Sequence, residues 1–503
     1  MILIELTAAV TSAGTPRTFY VSDARFVTLP SDTPANTAFD PSLIDPGAIG
    51  IHAYGDGRTG GATRLETGEI ILDNTDGQYD AWLNYSFDGR PVVIRSGSGG
   101  SYPASYSVLL VATVESLDAS PGQVIVKIRD KQLLFDTPVL TSVYGGTNSL
   151  PNGLDGLPTD LKGKRRPRAW GKVFNVTPPQ VNTSRLIFEV GACNSVDAVY
   201  SNGAALAAGA VYTTQADMDG NAPAAGQFRA WPAGGYFRIG MFAGEQITAD
   251  VTQGATAADR TVGQVLKRIS ASAGITSAEL SNADVTTLDQ LNSAEVGIWI
   301  DDDTTVASAL DMISASIGAW YGFDPAGVLR MGQLTAPAGQ AVLTLHDYDI
   351  LSLERRAPSD NGVPAWRATV NHSRCFTVQT SGLAGSAAAR AGFVGQERRS
   401  VNADAPDVKT QWLRAGELSV DTLLVSDVAA QAEVTRLLSL YRVRRDVFEV
   451  SIDVSVLASS ALRMMDVVNV FHPRFGLSSG RLLRAIGISF NLAAKTVILS
   501  LWG

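Results

Sequence analysis

Three short runs carry residue types that could do chemistry. Asp73-Asn74-Thr75-Asp76-Gly77, with Asp80 close behind, invites a calcium loop. Such a loop spaces its oxygen ligands at alternate positions, and here Thr75 stands third and Gly77 fifth, so the alternation fails. An Asx-type turn after the strand Glu69–Leu72 is the expectation. Asp301-Asp302-Asp303 invites a metal cluster, but carboxylates before Thr304-Thr305-Val306 also complement a helix dipole and cap its first turn, and capping is expected there. Gly55-Asp56-Gly57-Arg58-Thr59-Gly60 fits the spacing G-x-G-x-x-G. No helix pattern follows it, so a hairpin turn is expected rather than a phosphate cradle.

Histidine and cysteine add little. His52, His346, His372 and His472 share no ligand spacing; His346 has Asp347 and Asp349 beside it, and His372 lies three residues before Cys375. Neither arrangement comes with a third ligand or a base and nucleophile pair, so structural roles are expected. Cys193 and Cys375 are expected as buried thiols, with a disulfide between them as the alternative. Two thiols alone cannot ligate a four-thiolate iron–sulfur cluster. No stretch singles out a carboxylate pair for glycoside hydrolysis. The run Lys162–Arg168 is strongly basic and is expected as a solvated linker, with a contact for an acidic partner or a rim facing nucleic acid as the sharper reading. The expected catalytic, cofactor-binding and metal residues are therefore none.

The elements that would position such groups are mostly strands. The chain has 503 residues, too many for one core, so three or four domains are expected. It is 45% hydrophobic and 18% charged, a globular composition. A net charge of −9 argues against a partner nucleic acid held by surface charge. Met1-Ile-Leu-Ile-Glu-Leu lacks the basic region of a signal peptide and reads as a strand, and no window is apolar enough to span a membrane. A soluble product made in a cytoplasm is expected. Turn residues scattered between short apolar runs give the texture of a β-rich protein.

The expected units are 1–165, 166–255, 256–345 and 346–503. In the first, Ile2, Ile4 and Leu6 alternate with Leu3, Glu5 and Thr7, and seven later runs, including Ile49–Tyr54, complete a sandwich or barrel set. Leu150–Lys164 is a linker candidate. The second unit is β-rich, with a hairpin signal at Asn202-Gly203. The third is α+β. Thr261 with Gln264 has capping-box spacing before the stripe Val262, Val265, Leu266, Ile269, and Val306, Leu310, Ile313 and Ile317 form a second stripe. Ser381–Gly395 is expected as a loop. The last unit opens with a helix carrying Val434, Leu437, Leu438 and Tyr441 on one face, with Asp427 as N-cap and Arg442, Arg444 and Arg445 near its C-terminus. Period-two strands follow, ending on Thr496–Trp502, so the chain is expected to be ordered to its last apolar residues.

Four stretches, in this order, carry a resemblance. The first is Tyr54-Gly-Asp-Gly-Arg-Thr-Gly-Gly with Gly68-Glu-Ile-Ile-Leu-Asp-Asn-Thr-Asp-Gly and Phe87-Asp-Gly-Arg. The second is Trp170-Gly-Lys-Val-Phe-Asn-Val-Thr-Pro-Pro, then Gly234-Gly-Tyr-Phe-Arg-Ile-Gly and Ile247-Thr-Ala-Asp-Val. The third is Ser316-Ile-Gly-Ala-Trp-Tyr-Gly-Phe-Asp, and the fourth is Pro473-Arg-Phe-Gly-Leu with Gly480-Arg-Leu-Leu-Arg-Ala-Ile-Gly-Ile and Leu499-Ser-Leu-Trp-Gly. With these the chain resembles the tail-tip or baseplate hub proteins of tailed bacteriophages and prophages.

The resemblance implies a β-rich, α+β multidomain protein with β-barrel or sandwich, tail-tube-like domains at both ends and an α+β middle. It implies a homo-trimer whose two barrels per subunit form a pseudo-sixfold ring. The implied partners are the distal tail or tube protein, the tape measure protein, and central fibre or tip proteins, with DNA in transient passage and not specifically bound. The implied location is the virion tail, assembled in the host cytoplasm, and no cofactor is implied. Many relatives carry a peptidoglycan-cleaving domain, for which this chain has no motif. The competing classes are a hexameric distal tail protein, a receptor- or carbohydrate-binding component using Trp170, Trp231, Trp320 or Trp366, and a cell-wall hydrolase.

Overall fold

The computed structural model describes residues 1–54, 61–97, 99–242, 244–356, 362–457, 462–491 and 494–503. The Gly55–Gly60 motif lies outside the described residues. The fold is β-rich and multidomain, with a curled sheet at each end of the chain and an α+β middle.

The first curled sheet has seven antiparallel strands, in the order Pro16–Ser22, Ile2–Ala9, Pro91–Ser96, Ser107–Ser120, Gln123–Arg129, Ile70–Asp73 and Leu43–Asp45. Its edges are joined through one segment. The Ser22 N–H donates to the Asp40 carbonyl at 2.7 Å and the Asp40 N–H to the Tyr20 carbonyl at 3.0 Å, while Leu43–Asp45 pairs with the opposite edge. The backbone bonds thus run round a barrel. Ile4 and Leu6 point into its core with Val92, Ile94 and Val126. Leu3, on the other face, is also buried, under Phe39, Tyr102 and Tyr106. A strand covered on both faces loses the clean alternation of a half-exposed one.

Two five-stranded sheets pack face to face in the next part. One contains Arg168–Val176, Ser195–Ser201, Ile247–Gln253 and Gly297–Ile300; the other contains Ile187–Glu189, Tyr236–Ile239 and Gln227–Trp231. Val173, Phe188, Phe237 and Val251 fill the space between them. Asn202 and Gly203 both have positive φ, at 47° and 80°, and turn the hairpin from Ser195–Ser201 to Ala204–Ala205 as expected. At Gly171 and Gly297 two backbones approach too closely for a side chain: a Cβ on Gly297 would lie 1.7 Å from the Lys172 carbonyl oxygen, and one on Gly171 would lie 1.9 Å from that of Val296.

The α+β part holds helices Val262–Ser272, Asn282–Leu291 and Val306–Ala315 and the hairpin Ala319–Phe323/Leu329–Gln333. Both expected apolar stripes are buried in one core. Thr261 caps the first helix, but Gln264 does not complete a capping box; its amide reaches Asp289 at 2.8 Å. The cap of Val306–Ala315 is Thr305, not the aspartate run. Asp302 instead closes its own turn onto the Thr304 N–H at 2.9 Å, and Asp303 pairs with Arg165 at 2.6 Å. A hydroxyl at the residue flanking the helix reaches the N3 amide, which carboxylates further upstream cannot.

The helix Asp427–Tyr441 packs on this same core with Val434 and Leu437. Its cap is Ser426 rather than Asp427, which takes the first helical position. Arg445 donates to the Leu440 carbonyl at 2.9 Å, as a cation near a helix C-terminus should. Ser381–Gly395 is not an open loop. It folds into the short turns Gly385–Arg390 and Ala391–Val394, with Ala387 and Val394 buried. Leu150–Lys164 is also packed: Leu161 shares a small core with Tyr144, Val181 and Tyr212.

The second curled sheet follows the path Leu343–Leu345, Val467–Val470, Arg481–Asn491, Thr496–Trp502, Val447–Asp453 and Ile350–Arg356. Its first and last strands are separated only by residues 346–349. Five residue steps reach at most about 18 Å, so the two edges are drawn together and the sheet must curl. Thr496–Trp502 lies between two strands, with Val497, Leu499 and Leu501 fully buried inside. On its other face Ile498 is exposed, but Trp502 is buried against Ala53, Trp320 and Leu440.

Candidate functional site

The feature that organises the molecule is the join between the two curled sheets. Ala48–His52 leaves the first barrel directly after Leu43–Asp45 and adds to Arg481–Asn491 of the second, in register from Ala48 opposite Asn491 to His52 opposite Gly487. Arg64–Thr67 pairs back on it. Glycines allow the close approach. A Cβ on Gly68 would sit 2.4 Å from the Ala48 nitrogen, and one on Gly487 would sit 2.4 Å from His52 Nδ1. The space at Gly487 holds the His52 imidazole, whose Nε2 lies 3.2 Å from Ser489 Oγ. His52 is therefore part of the join. By sequence this run counts among the strands of the first barrel; the structure adds it to the second sheet instead, because strand periodicity does not name a partner.

Arginine forks strap the remaining parts together. Arg436 donates to both carboxylate oxygens of Glu433, at 2.8 and 2.7 Å, and to the carbonyls of Leu334 and Ile317, at 2.9 and 3.0 Å. Glu433 is buried in the core beneath it, and burial raises its pKa. Arg390 reaches Asp250 at 3.1 Å and Asn175 at 2.9 Å, tying the 385–394 turns to the sandwich. Burial likewise raises the Asp250 pKa. Asp446 collects Arg355, Arg444 and Arg481, and Arg481 also donates to the Gly503 carbonyl at 2.6 Å. Arg484 bridges Thr335 and Met465. Planar guanidinium groups suit this work, since each can bind a carboxylate and carbonyls at once.

The basic run is spent in the same way. Arg166 pairs with Asp155 at 2.5 Å and Glu189 at 2.9 Å, and Arg165 pairs with Asp303. Lys162 and Lys164 match the solvated reading, and Arg168, also exposed, opens a strand with its guanidinium over the Trp170 ring at 5.1 Å. The run is a folded bracket, not a linker.

The groups weighed for chemistry take structural places. The Asp73–Gly77 turn is an Asx arrangement: Asp73 accepts from the Thr75 N–H at 3.0 Å, Asp76 from the Gln78 N–H at 3.1 Å, and Asn74 from the Tyr79 N–H at 2.8 Å. Among the described residues, no three His, Cys, Asp or Glu side chains are placed to hold a metal. His372 is buried beside Ser373, and burial lowers its pKa. The nearby Cys375 thiol donates to the Thr377 carbonyl at 3.1 Å, and burial pushes its pKa up, opposite to an activated nucleophile. Cys193 is pushed up to about 12 by burial, and both cysteines are free. Trp170 and Trp320 are core residues, and Trp366 is covered by Lys409 and Arg367 at 3.5 and 4.5 Å. Trp231 stacks on Tyr236 at 5.9 Å. No helix among the described residues is long and apolar enough to cross a membrane.

One titratable group stands apart. Asp130 caps the turn Lys131–Asp136 through the Gln132 N–H at 2.9 Å, beside a cavity of about 230 Å³ between the first barrel and the α+β core. Burial pushes its pKa up to about 6. The sequence offers no signal for this, since burial of a turn carboxylate is a tertiary property.

No family model matches the chain, and no curated protein matches it. Among solved structures the chain is similar to the 43 kDa tail protein of prophage MuSo2 from Shewanella oneidensis, at 11% identity and TM-score 0.43, covering 100% of this chain and 96% of that one. It is also similar to the tail protein from Neisseria meningitidis MC58, at 10% identity and TM-score 0.42, covering 93% of each chain. A third likeness, at 16% identity and TM-score 0.44, is to a chain of a native gene transfer agent virion, covering 73% of this chain and 91% of that one. At these identities and scores the likeness carries no argument about what this chain does.

Proposed function

We propose that this chain is a structural, non-enzymatic hub of a bacteriophage or prophage tail. Three copies close a ring, and each contributes the two curled sheets, so that six barrels surround one channel. The ring joins the tail tube or distal tail protein to the tip and fibres, and the tape measure protein and DNA pass through it without specific binding. In this reading units 1–165 and 346–503 supply the ring domains, and units 166–255 and 256–345 pack outside or below them.

The observation that carries this reading is the join at Ala48–His52, which adds a strand of one barrel segment to the sheet of the other within one chain. Two barrels fixed at a set angle are the repeating unit that a pseudo-sixfold ring needs. The arginine straps support it, since a conduit works by geometry and not by a mobile cleft.

The test is the mass of the purified chain in solution. Three 53.0 kDa chains give about 159 kDa. A hexamer would move the reading to a distal tail ring. Clearing of purified cell wall by the isolated protein, abolished at one acid, would move it to a hydrolase.

A further inference from the structure

The outer face of the five-stranded sheet that holds Arg168–Val176 carries a polar well. Along that strand Val173 points into the sandwich core with Val196 and Val251, so the adjacent Lys172 points the other way. Lys172, Thr252 and Ser195 stand side by side on three neighbouring strands, Lys172 opposite Thr252 and Thr252 opposite Ser195. Two covers leave this stretch open between them. At one end Phe393, in the turn Ala391–Val394, meets the Phe174 ring edge-on at 5.7 Å. At the other the turn Ala257–Arg260 is tied down by Arg260, which donates to the Gly254 carbonyl at 2.8 Å. The cavity that remains measures about 560 Å³. That lies within the roughly 300–1,000 Å³ of small-molecule sites.

A β-bulge aims a carboxylate into the well. The register of Ser195–Ser201 on Ile247–Gln253 shifts between Val196 and Ala198, which leaves Asp197 as the extra residue. Asp197 Oδ1 accepts the Ser195 hydroxyl at 2.5 Å, and Oδ2 accepts the Thr252 hydroxyl at 2.6 Å. Each carboxylate oxygen keeps a second lone pair. Asn194 Oδ1 takes the Gly254 N–H at 2.6 Å, which fixes the other end of that amide as a donor. The Lys172 ammonium lies 5.7 Å from the centre of the Phe174 ring and has no ion-pair partner among the described residues. The other charges at the rim are spent, Asp250 on Arg390 and Arg260 on Glu295.

One ammonium and one carboxylate balance, so the well suits a neutral guest. A phosphate would meet Asp197, and a metal ion would meet Lys172. Acceptors and donors set beside an aromatic wall match the vicinal hydroxyls and the CH face of a pyranose. We infer that this well binds a neutral sugar, whose hydroxyls donate to Asp197 and accept from Lys172 and the Asn194 amide while its CH face lies on Phe174.

The experiment is saturation-transfer NMR on the full-length protein with neutral hexoses, 6-deoxyhexoses and N-acetylhexosamines, each alone, followed by titration calorimetry of any sugar that responds. The expected result is saturable transfer to the ring protons of at least one sugar, with affinity weakened at least about tenfold in Lys172→Met and in Asp197→Ala. Lys172→Met keeps the aliphatic stem by Phe174 and removes only the ammonium, so it carries the test should Asp197→Ala unfold. Transfer to none of the sugars overturns the inference, as does a response that Lys172→Met leaves unchanged. Thermal stabilisation by inorganic phosphate but by no sugar makes the well an anion site and overturns it too. The readout does not involve self-association, so failure here leaves the ring reading standing.

Discussion

Arg436→Met should be among the most damaging single changes away from glycine. Arg436 is the partner of a carboxylate whose side chain is 1% exposed, and it is itself 23% exposed. Its loss leaves Glu433 buried and unpaired, and it strips donors from the Ile317 and Leu334 carbonyls. Breaking a buried pair by removing one partner costs about 3–5 kcal/mol. Replacing both partners removes the stranded charge, so Glu433→Met/Arg436→Met should cost only about 1–2 kcal/mol, the residue of the Leu334 carbonyl left without its donor, since the Ile317 carbonyl keeps the Gln333 amide at 2.7 Å. The double variant should then be roughly 2–3 kcal/mol more stable than Arg436→Met alone. In calorimetry, a loss of about 3 kcal/mol lowers the transition of a cooperative unit of roughly 150–250 residues by about 6–12 °C. Arg442→Ala serves as the control, because the Arg442 and Asp407 side chains are 46% and 68% exposed and such pairs contribute about 1 kcal/mol at most. The reasoning fails if Arg436→Met behaves like the control, or if the double variant costs the sum of the singles.

Other outcomes follow from the same geometry. Gly297→Ala drives a Cβ to 1.7 Å from the Lys172 carbonyl oxygen and should cost at least about 3 kcal/mol, read as loss of soluble protein or a lowered midpoint; a wild-type midpoint refutes the close approach. Asp130 has its folded pKa raised from 3.8 to about 6, so its ionisation costs more folded than unfolded, and its contribution is lost as pH rises through the 4–6 window. Asp130→Asn should flatten that part of the pH–stability profile and stabilise the protein at pH 7; an unchanged profile refutes it. Cys193 and Cys375, both raised by burial, should react with a thiol reagent at pH 8 at least about tenfold more slowly than in the unfolded chain, and fast native labelling would contradict their placement.

Period and turn chemistry made the local elements legible. The stripe Val306, Leu310, Ile313, Ile317 and the alternation through Thr496–Trp502 are found where the pattern puts them, because burial on one face imposes the period directly. The Asn202-Gly203 hairpin follows from φ alone. Caps were displaced, from Asp427 to Ser426 and from Asp301–Asp303 to Thr305, since several adjacent residues can accept the same orphan amides. Glu433 reads as a surface residue by its charge, and only Arg436 one turn on makes its burial tolerable. The join at Ala48–His52 was not legible. It depends on which strands meet across hundreds of residues, and sequence periodicity carries no pairing information. Leu150–Lys164 and Ser381–Gly395 look like connectors by composition but are folded, because small and turn-forming residues can pack when arginines satisfy carbonyls within them, Arg166 that of Leu154 and Arg399 that of Phe393.

The central claim is that the two curled sheets of one chain are one third of a closed ring. Sedimentation equilibrium of the purified full-length protein, followed by class averages of the same sample in the electron microscope, tests it most directly. The account predicts a mass near 159 kDa, for three 53.0 kDa chains, and end-on views with six density lobes around an open centre. A monodisperse monomer without such views, at concentrations well above those of assembly, would contradict it.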